Sequence, residues 1–315
     1  MDGAAPHDSA EGAPAPAISL VLPVHNGARY LEAALDSILT QTFTDFELIA
    51  VDDCSSDSTP AILARYAAAD RRVRVLTNAE NLRLPASLNR GFAAARGAWY
   101  SWTSDDNLLR PAMLQRLWDA AQAQPGCAVI HSDYTVIDAD GAPLRQVRVG
   151  RADQLLLGNG IGCSFLYRAE VHHALGGFDE HLFGLEDYDF WIRAARQFRF
   201  HPLHEDLYLY RRHDGSLTDR RAKQISRMAN KVLRPEMDAL PRGRARAEAY
   251  VSLCCRDFRI LRPGLLGRAA LDDPAVLWRQ RRAIAFWIRH SLRQRLFQLG
   301  LAAAAPAAAA VVIAE

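Results

Sequence analysis

The first part of the chain alternates short apolar runs with a segment of helical periodicity. Residues 18–26 predict a buried strand that stops at Pro23, because proline cannot donate to a central ladder. Residues 46–53 predict a second buried strand. The segment from about 28 to 40 between them predicts a helix. Its apolar face consists of Leu31, Leu35, Ile38 and Leu39. Strand, helix and strand in this order form a parallel unit.

Polar clusters stand where these predicted strands end. His25 and Asn26 follow the first strand, residues 52–53 end the second, and residues 105–107 follow a third apolar run. Parallel units bind ligands at the carboxyl ends of their strands, so all three clusters are expected at one sheet edge. Adjacent carboxylates there are suitable ligands for a hard divalent cation. The alternative for residues 105–107 is turn and helix-cap chemistry, because a helix is predicted to start near Pro111.

Six segments, taken in order, resemble the successive signatures of family 2 glycosyltransferases. They are Pro23–Asn26, Val51–Asp57, Thr103–Asn107, Gly176–Asp179, Glu186–Trp191 and Tyr210–Ser216. The resemblance covers roughly residues 18–216. It implies a GT-A fold, which is an α/β, Rossmann-like architecture with a mainly parallel sheet flanked by helices. It also implies transfer of a sugar from a nucleotide-sugar donor, with UDP as the nucleotide most usual in the family.

The resemblance assigns the donor nucleotide to the first three signatures. Asp53 is expected to accept a hydrogen bond from a base N–H, and Asp52 to support the loop. His25 stands where relatives often carry an aromatic residue that stacks on the base. The full nucleotide-binding set is Pro23, Val24, His25, Asn26, Asp53 and Asp105. For the carboxylates at 52–53 a turn-initiating role is the alternative.

The resemblance also implies a metal and a diphosphate subsite. Asp106 is expected to bind Mn²⁺ or Mg²⁺, and His213 to contact the metal or the pyrophosphate. Arg211 or Arg212 is expected to neutralise charge on the leaving diphosphate, as basic side chains do where negative charge develops. Ser216 is placed with them, at the diphosphate or the acceptor.

Asp187 is the predicted general base, because sugar transfer with inversion needs one carboxylate that takes the proton of the acceptor hydroxyl. Glu186 is expected to orient the acceptor. Since no partnered nucleophile is evident, direct displacement is favoured over a covalent intermediate. The alternative for both carboxylates is structural, because acidic residues are favoured at a helix N-terminus. The glycine-rich segment 158–164 is expected to line the acceptor side.

Basic and acidic residues are distributed unevenly along the chain, although its formal net charge is only +2. Residues 1–215 carry 19 basic and 28 acidic side chains, whereas residues 216–315 carry 19 basic and 8 acidic. The basic part predicts an anionic partner: a membrane surface, a phosphorylated acceptor or the acidic body of the same chain. Helices are predicted at 220–240, 247–261 and 274–299, and two interpretations stay open for them. They either pack on the catalytic domain or lie on a membrane.

Composition completes the expected organisation. Residues 1–17 are rich in Ala, Pro and Gly without a signal-peptide pattern, and are expected to lack fixed structure. A glycosyltransferase domain is expected at 18–216 and a basic, mainly helical region at 217–315. Five cysteines without zinc-like spacing favour a reduced, cytoplasmic compartment. The apolar run 299–314 is shorter than the ~20 residues that span a bilayer.

The expected activity is that of an inverting, metal-dependent enzyme that adds one sugar, or a few, to a glycan, lipid-linked or protein acceptor. Family usage suggests bacterial cell-surface polysaccharide synthesis, in the cytoplasm or peripherally at the inner face of the cytoplasmic membrane. The alternative is a non-catalytic nucleotide-sugar-binding scaffold of the same fold. No nucleic-acid partner is expected, because no stacking-aromatic motif accompanies the basic charge.

Overall fold

The computed structural model describes residues 14–215, 217–257, 260 and 262–298. The strands are β1 (Ile18–Val24), β2 (Phe46–Asp52), β3 (Val73–Thr77), β4 (Trp99–Trp102), β5 (Leu108–Leu109), β6 (Val129–Ile137), β7 (Pro143–Val147), β8 (Phe165–Arg168) and β9 (Phe200–Arg211). The helices are α1 (Leu31–Leu39), α2 (Thr59–Ala69), α3 (Leu84–Ala93), α4 (Met113–Ala123), α5 (Ala169–Leu175), α6 (Glu186–Ala195), α7 (Leu217–Ala239), α8 (Arg244–Cys255), α9 (Pro263–Asp272), α10 (Ala275–Arg279) and α11 (Arg281–Gln298).

All strands of the described residues belong to one mixed sheet. Its order is β3-β2-β1-β4-β8-β6-β9-β5, and β7 pairs with β6 outside this path. The four strands from β3 to β4 are parallel, while β8, β5 and β7 are antiparallel to the strands they pair with. Because β1, β2 and β4 run in the same direction, the polar residues that follow them meet at one edge, as the sequence predicts.

β1 continues one residue beyond Pro23, where the sequence pattern predicts its end. Pro23 pairs with Val51 of β2. The carbonyl of Val21 faces the β4 side, where it accepts the N–H of Thr103 at 3.1 Å. The backbone of residue 23 directs its N–H position toward the same side. That position lies beyond Trp102, which is the last residue of β4 that pairs with β1. The missing proline N–H therefore interrupts no ladder bond, because β4 has already ended.

Two apolar layers cover the sheet. One contains α1, α2 and α4 against inward residues of β1 and β2, such as Leu20 and Leu48. The other contains α3, α5 and α6 and extends into the C-terminal helices. β1 and β2 are buried along their whole length, as expected for parallel strands with helices on both faces of the sheet.

Glu47 ties three strands together from inside this fold. Its buried carboxylate accepts hydrogen bonds from the Ser19 hydroxyl at 2.7 Å and the Arg96 N–H at 2.8 Å. It also pairs with the guanidinium groups of Arg74 and Arg96. Burial by itself raises the pKa of Glu47, but the hydrogen bonds from Ser19, Arg96 and Arg74 outweigh it and hold the pKa below its usual value.

The C-terminal helices α7 and α8 pack on the domain that contains the sheet, which agrees with one of the two interpretations left open from the sequence. Leu233 of α7 and Tyr250 of α8 share a continuous buried core with Trp191 of α6. The Arg256 guanidinium donates to the Tyr188 hydroxyl at 3.1 Å. α9 lies outside the sequence prediction, and the predicted helix 274–299 is divided between α10 and α11 at Gln280. None of the described helices is long and apolar enough to cross a membrane.

Candidate active site

His25 and Asn26 stand at the end of β1 with their polar atoms engaged. The Nδ1 of His25 donates to the carbonyl of Asp53 at 2.8 Å, so Nε2 is the acceptor for the Asn26 amide at 3.2 Å. Asn26 adopts a left-handed φ of 56°, a conformation that asparagine tolerates. Its Oδ1 accepts the N–H of Ser56, which joins the ends of β1 and β2. Pro23 and Val24 lie just behind in β1, so the predicted pocket wall and the His25 ring are adjacent.

The carboxylate of Asp53 is buried and organises the loop before α3. It accepts the N–H groups of Leu82 and Arg83, both at 2.8 Å, and the Asn78 amide at 2.7 Å. Arg83 has φ 72° and ψ 168°, a region occupied essentially by glycine, so this loop is strained. Asp52 accepts the N–H of Ser55 and thus supports its own loop. The contact of Asp53 with a nucleotide base stays a prediction.

Asp105 reaches its position only because residue 27 has no side chain. A Cβ at Gly27 would lie 1.9 Å from the Asp105 Oδ2 and 2.8 Å from the Val24 Cγ1. Burial and, secondarily, the charge of Asp106 raise the pKa of Asp105 to about 7. Asp105 is thus placed beside the end of β1, on the side of the predicted nucleotide pocket.

Asp106 and His213 meet although 107 residues separate them in sequence. The Nε2 of His213 lies 3.0 Å from the Asp106 Oδ2. The His213 Nδ1 accepts the N–H of Gly215 at 3.1 Å, which places the ring proton of a neutral imidazole on Nε2. Nε2 can ligate a metal only without that proton, so metal binding through this atom requires the other tautomer.

These two side chains fit a divalent cation held partly by its substrate. Mg²⁺ and similar ions bind through one or two carboxylates together with substrate phosphates rather than in a cage of protein ligands. Within the described residues no group of three or more His, Cys, Asp or Glu could hold a metal. Asp106 and His213 therefore supply one carboxylate and one imidazole, which is the small number of protein ligands expected for a divalent cation that also binds substrate phosphates.

Arg211 fixes the end of β9 against the loop that carries Asp106. Its Nε donates to the Asp106 carbonyl at 2.8 Å, and its Nη1 donates to the Ala139 carbonyl at 3.0 Å. The guanidinium lies 4.7 Å from the Tyr30 ring centroid, and that ring lies 5.1 Å from His213. Arg212 is half-buried next to it, and Ser216 falls outside the described residues.

Glu186 and Asp187 occupy the first turn of α6, as predicted. The Asp187 carboxylate accepts the Asn159 amide at 2.9 Å and the Tyr188 N–H at 2.7 Å. Burial raises the pKa of Asp187, and these two hydrogen bonds act against that rise. Burial and then the charge of Asp187 raise the pKa of Glu186 to about 8. The pair therefore retains a proton near neutral pH, and the donors around Asp187 favour its ionised form.

Cys163 lies in the glycine-rich loop predicted at the acceptor side. Burial raises the pKa of its thiol well above the usual value, and the negative charges of Asp187 and Asp106 add to that rise.

Two side chains of this site were not predicted from sequence. Tyr30 packs between Arg211 and His213, and Asn159 binds Asp187. The only sequence signal for Tyr30 is an aromatic residue just before the apolar face of α1. For Asn159 it is an amide among the glycines at 158–162.

Comparison with known proteins gives a consistent family. The Glycosyl transferase family 2 model matches residues 19–176. An uncharacterized glycosyltransferase of Rickettsia felis is 30% identical over 202 residues, 61% of this chain and 33% of the relative. Another from Rickettsia typhi is 31% identical over 67% of this chain and 68% of the relative. The succinoglycan biosynthesis protein ExoO of Rhizobium meliloti is 34% identical over 49% of this chain and 44% of the relative. The chain thus spans about a third of the first of these relatives.

Solved structures show the same fold at low identity. S. aureus TarS 1–349, solved in complex with UDP-GlcNAc, has a TM-score of 0.62 at 18% identity, over 90% of this chain and 83% of that chain. The mannosyltransferase PcManGT of Pyrobaculum calidifontis, solved with GDP-Man and Mn²⁺, has a TM-score of 0.56 at 20% identity over 91% of both chains. The GT-A-like fold is therefore confirmed, and the chain belongs to the family 2 glycosyltransferases.

Proposed function

We propose that this protein transfers a sugar from a nucleotide-sugar donor, most simply a UDP-sugar, to an acceptor hydroxyl with inversion at the anomeric carbon. The observation that carries the proposal is the contact of Asp106 with His213 at 3.0 Å, at the sheet edge where the parallel strands β1, β2 and β4 end. A solved neighbour is in complex with UDP-GlcNAc and another with GDP-Man and Mn²⁺, which supports a nucleotide-sugar donor and a metal as partners.

The donor binds at the carboxyl ends of β1, β2 and β4 in this proposal. The base lies against Pro23, Val24 and the His25 ring, and the free lone pair of the Asp53 carboxylate accepts its N–H. Asp105 lies toward the ribose. Because Asp53 already accepts three hydrogen bonds, its carboxylate is held in place before the nucleotide arrives, which lowers the ordering cost of binding.

Asp187 takes the proton of the acceptor hydroxyl as its oxygen attacks the anomeric carbon. A new C–O bond forms on one face of the sugar while the bond to the diphosphate breaks on the other, and the nucleoside diphosphate leaves with the electron pair. The Asn159 amide donates to this carboxylate and favours the ionised form that can accept the proton. Glu186 accepts the N–H of Gly184 and is proposed to orient the acceptor.

Asp106 and His213 would hold Mn²⁺ or Mg²⁺ together with the diphosphate oxygens. When bound, the cation neutralises negative charge on the leaving group. Arg211 holds the backbone that carries Asp106 through its bond to the Asp106 carbonyl, and Arg212 is proposed to neutralise charge on the diphosphate. The contact of Ser216 with the diphosphate or the acceptor stays a prediction, because this residue lies outside the described residues. Asp106→Ala is expected to remove the metal-dependent part of donor binding and to lower turnover by at least about 100-fold.

Calorimetric titration with UDP, GDP, dTDP and CDP, each with Mn²⁺ and with EDTA, tests the donor side. Metal-dependent binding of one nucleotide is expected. Asp187→Asn should then keep that affinity but lower transfer by about 10²–10⁴-fold, and NMR of the product should show an inverted anomeric configuration. If Asp187→Asn turned over as fast as the wild type, Asp187 would not be the general base. If the product retained the anomeric configuration of the donor, the reaction would not be a single direct displacement.

The acceptor class rests on the relatives alone. The name of ExoO refers to succinoglycan biosynthesis, which supports a glycan or lipid-linked acceptor in cell-surface polysaccharide synthesis, with a protein acceptor as a further candidate. We place the reaction in the cytoplasm, where nucleotide sugars are made. The scaffold hypothesis predicts nucleotide binding without turnover toward any acceptor, and hydrolysis of the bound donor sugar in the wild type but not in Asp187→Asn would contradict it.

A further inference from the structure

The outer face of α11 carries an apolar stripe that no described element covers. Ile288, Leu292 and Leu296 are 45%, 57% and 43% exposed. These residues follow the spacing of one helical face, whereas Trp287 and Ser291 on the opposite face are buried. We call Ile288, Leu292 and Leu296 the α11 stripe.

The stripe continues into an open apolar groove of about 430 Å³. α9 contributes Leu266 and Ala270 to its lining, and α10 contributes Leu277. Trp278 and Leu271, which follow the lining residues Leu277 and Ala270 in sequence, are 70% and 84% exposed. Large apolar side chains that are contiguous, rather than scattered, indicate an interaction surface.

Arginines that pair with no carboxylate in the described part of the chain flank the stripe. Most arginines of the preceding helices are paired: Arg246 with Asp272 at 2.6 Å, and Arg279 with Asp273. On α11, by contrast, no ion pair joins Arg282, Arg289 or Arg293 to a carboxylate of the described residues. These three positions recur at intervals of seven and four, so they form a row along one side of the stripe.

We propose that this surface binds an anionic phospholipid membrane, with the α11 stripe and Trp278 in the interface and the arginine row on the headgroups. Helices that lie in a membrane interface carry Trp, Phe or Leu on one face and Lys or Arg on the other, and here Trp278 of α10 adds the aromatic side chain to the α11 stripe. Anionic headgroups would supply the negative charge that no carboxylate of the described residues brings to the arginine row in an ion pair. No acidic residue occurs between Asp273 and Glu315.

Charge also argues against two other occupants. Residues 299–315 of the same chain carry Glu315 as their only charged side chain, too little to neutralise the arginine row. A second copy packed symmetrically through this face would bring two arginine rows together. Like charges opposed in this way weaken association.

Vesicle co-sedimentation of the full chain tests the proposal. We expect binding to phosphatidylcholine vesicles that contain phosphatidylglycerol and little binding to phosphatidylcholine alone, with loss at high salt. Replacing Arg282, Arg289 and Arg293 by Gln should weaken binding about 100-fold, or about fivefold for each arginine. The matched control replaces Arg65, Arg71 and Arg242 by Gln, which changes the net charge equally at other exposed positions.

The apolar part is tested by Ile288→Ser with Leu292→Ser, expected to weaken binding at least about tenfold. The emission of Trp278, isolated as the difference between wild type and Trp278→Phe, should shift to the blue on vesicles. Absence of binding to the phosphatidylglycerol vesicles, or an equal loss in the two arginine triple variants, would overturn the proposal. So would self-association in sedimentation that the α11 variants abolish while vesicle binding persists.

Discussion

At the scale of single residues, the site depends on which carboxylate of the pair 186–187 holds a proton. The Asn159 amide donates to Asp187 and acts to lower the pKa of that carboxyl. Asn159→Ala should therefore raise this pKa, and the acidic limb of kcat/KM against pH should move upward by about one unit. Glu186→Gln replaces a carboxyl that already holds its proton where Asp187 titrates, so it should leave the limb nearly unchanged. A pH profile identical in wild type and Asn159→Ala would show that Asp187 is not the titrating base.

The positions of the acidic site residues were predictable from sequence, but their partners were not. Asp53 and Asp106 follow strands whose apolar runs are short and clearly bounded, and parallel strands bring such ends together. Asn159 and Tyr30 reach the site through loop and side-chain conformations. No periodic pattern specifies those conformations, and the contacts they make span 28 residues or more of sequence.

At the scale of elements, Glu47 links β2 to its neighbours through one buried carboxylate. Glu47→Gln should lower the free energy of unfolding by about 2–4 kcal/mol in urea titrations at neutral pH, because it breaks a buried charge network. The stability due to the lowered pKa of Glu47 is present above its unfolded value of 4.5 and is lost as pH falls, so the difference should shrink in acid.

Glu32→Gln is the matched control for that change. Glu32 pairs with Arg65 at 2.6 Å, but both side chains are exposed, so the loss should stay below about 1 kcal/mol. Equal losses in the two variants would show that the Glu47 network contributes no more than a surface pair.

Helices and strands begin at the predicted residues where the apolar periodicity is regular. Near proline or glycine, their first residues differ from the prediction. β2 and α6 begin where expected, whereas α1 begins at Leu31 because residues 28–30 form a turn on the carbonyl of Gly27. α9 begins with Pro263 and Gly264, a pair that indicates a turn from sequence alone, although proline is well suited to the first helical turn.

At the scale of the whole molecule, the catalytic domain and the C-terminal helices share one core. Leu233→Ala in α7 should cost about 2–5 kcal/mol, and nucleotide binding and far-UV circular dichroism should be lost in one common transition. Leu271→Ala, at an 84% exposed leucine, should change stability by less than about 0.5 kcal/mol. Two separate transitions in Leu233→Ala would show that the helices fold independently of the domain.

The close approach of Gly27 to Asp105 also constrains how this sequence can evolve. A side chain at position 27 would occupy the place of the Asp105 carboxylate, so Gly27 cannot be replaced unless that carboxylate moves, whereas Asp105 can be replaced while Gly27 stays. Substitutions at the two positions should be epistatic: alanine at 27 should be more harmful while Asp105 is present than once that carboxylate is gone, when the 2.8 Å approach to the Val24 Cγ1 remains. Lineages that lose the glycine should therefore have lost the carboxylate first.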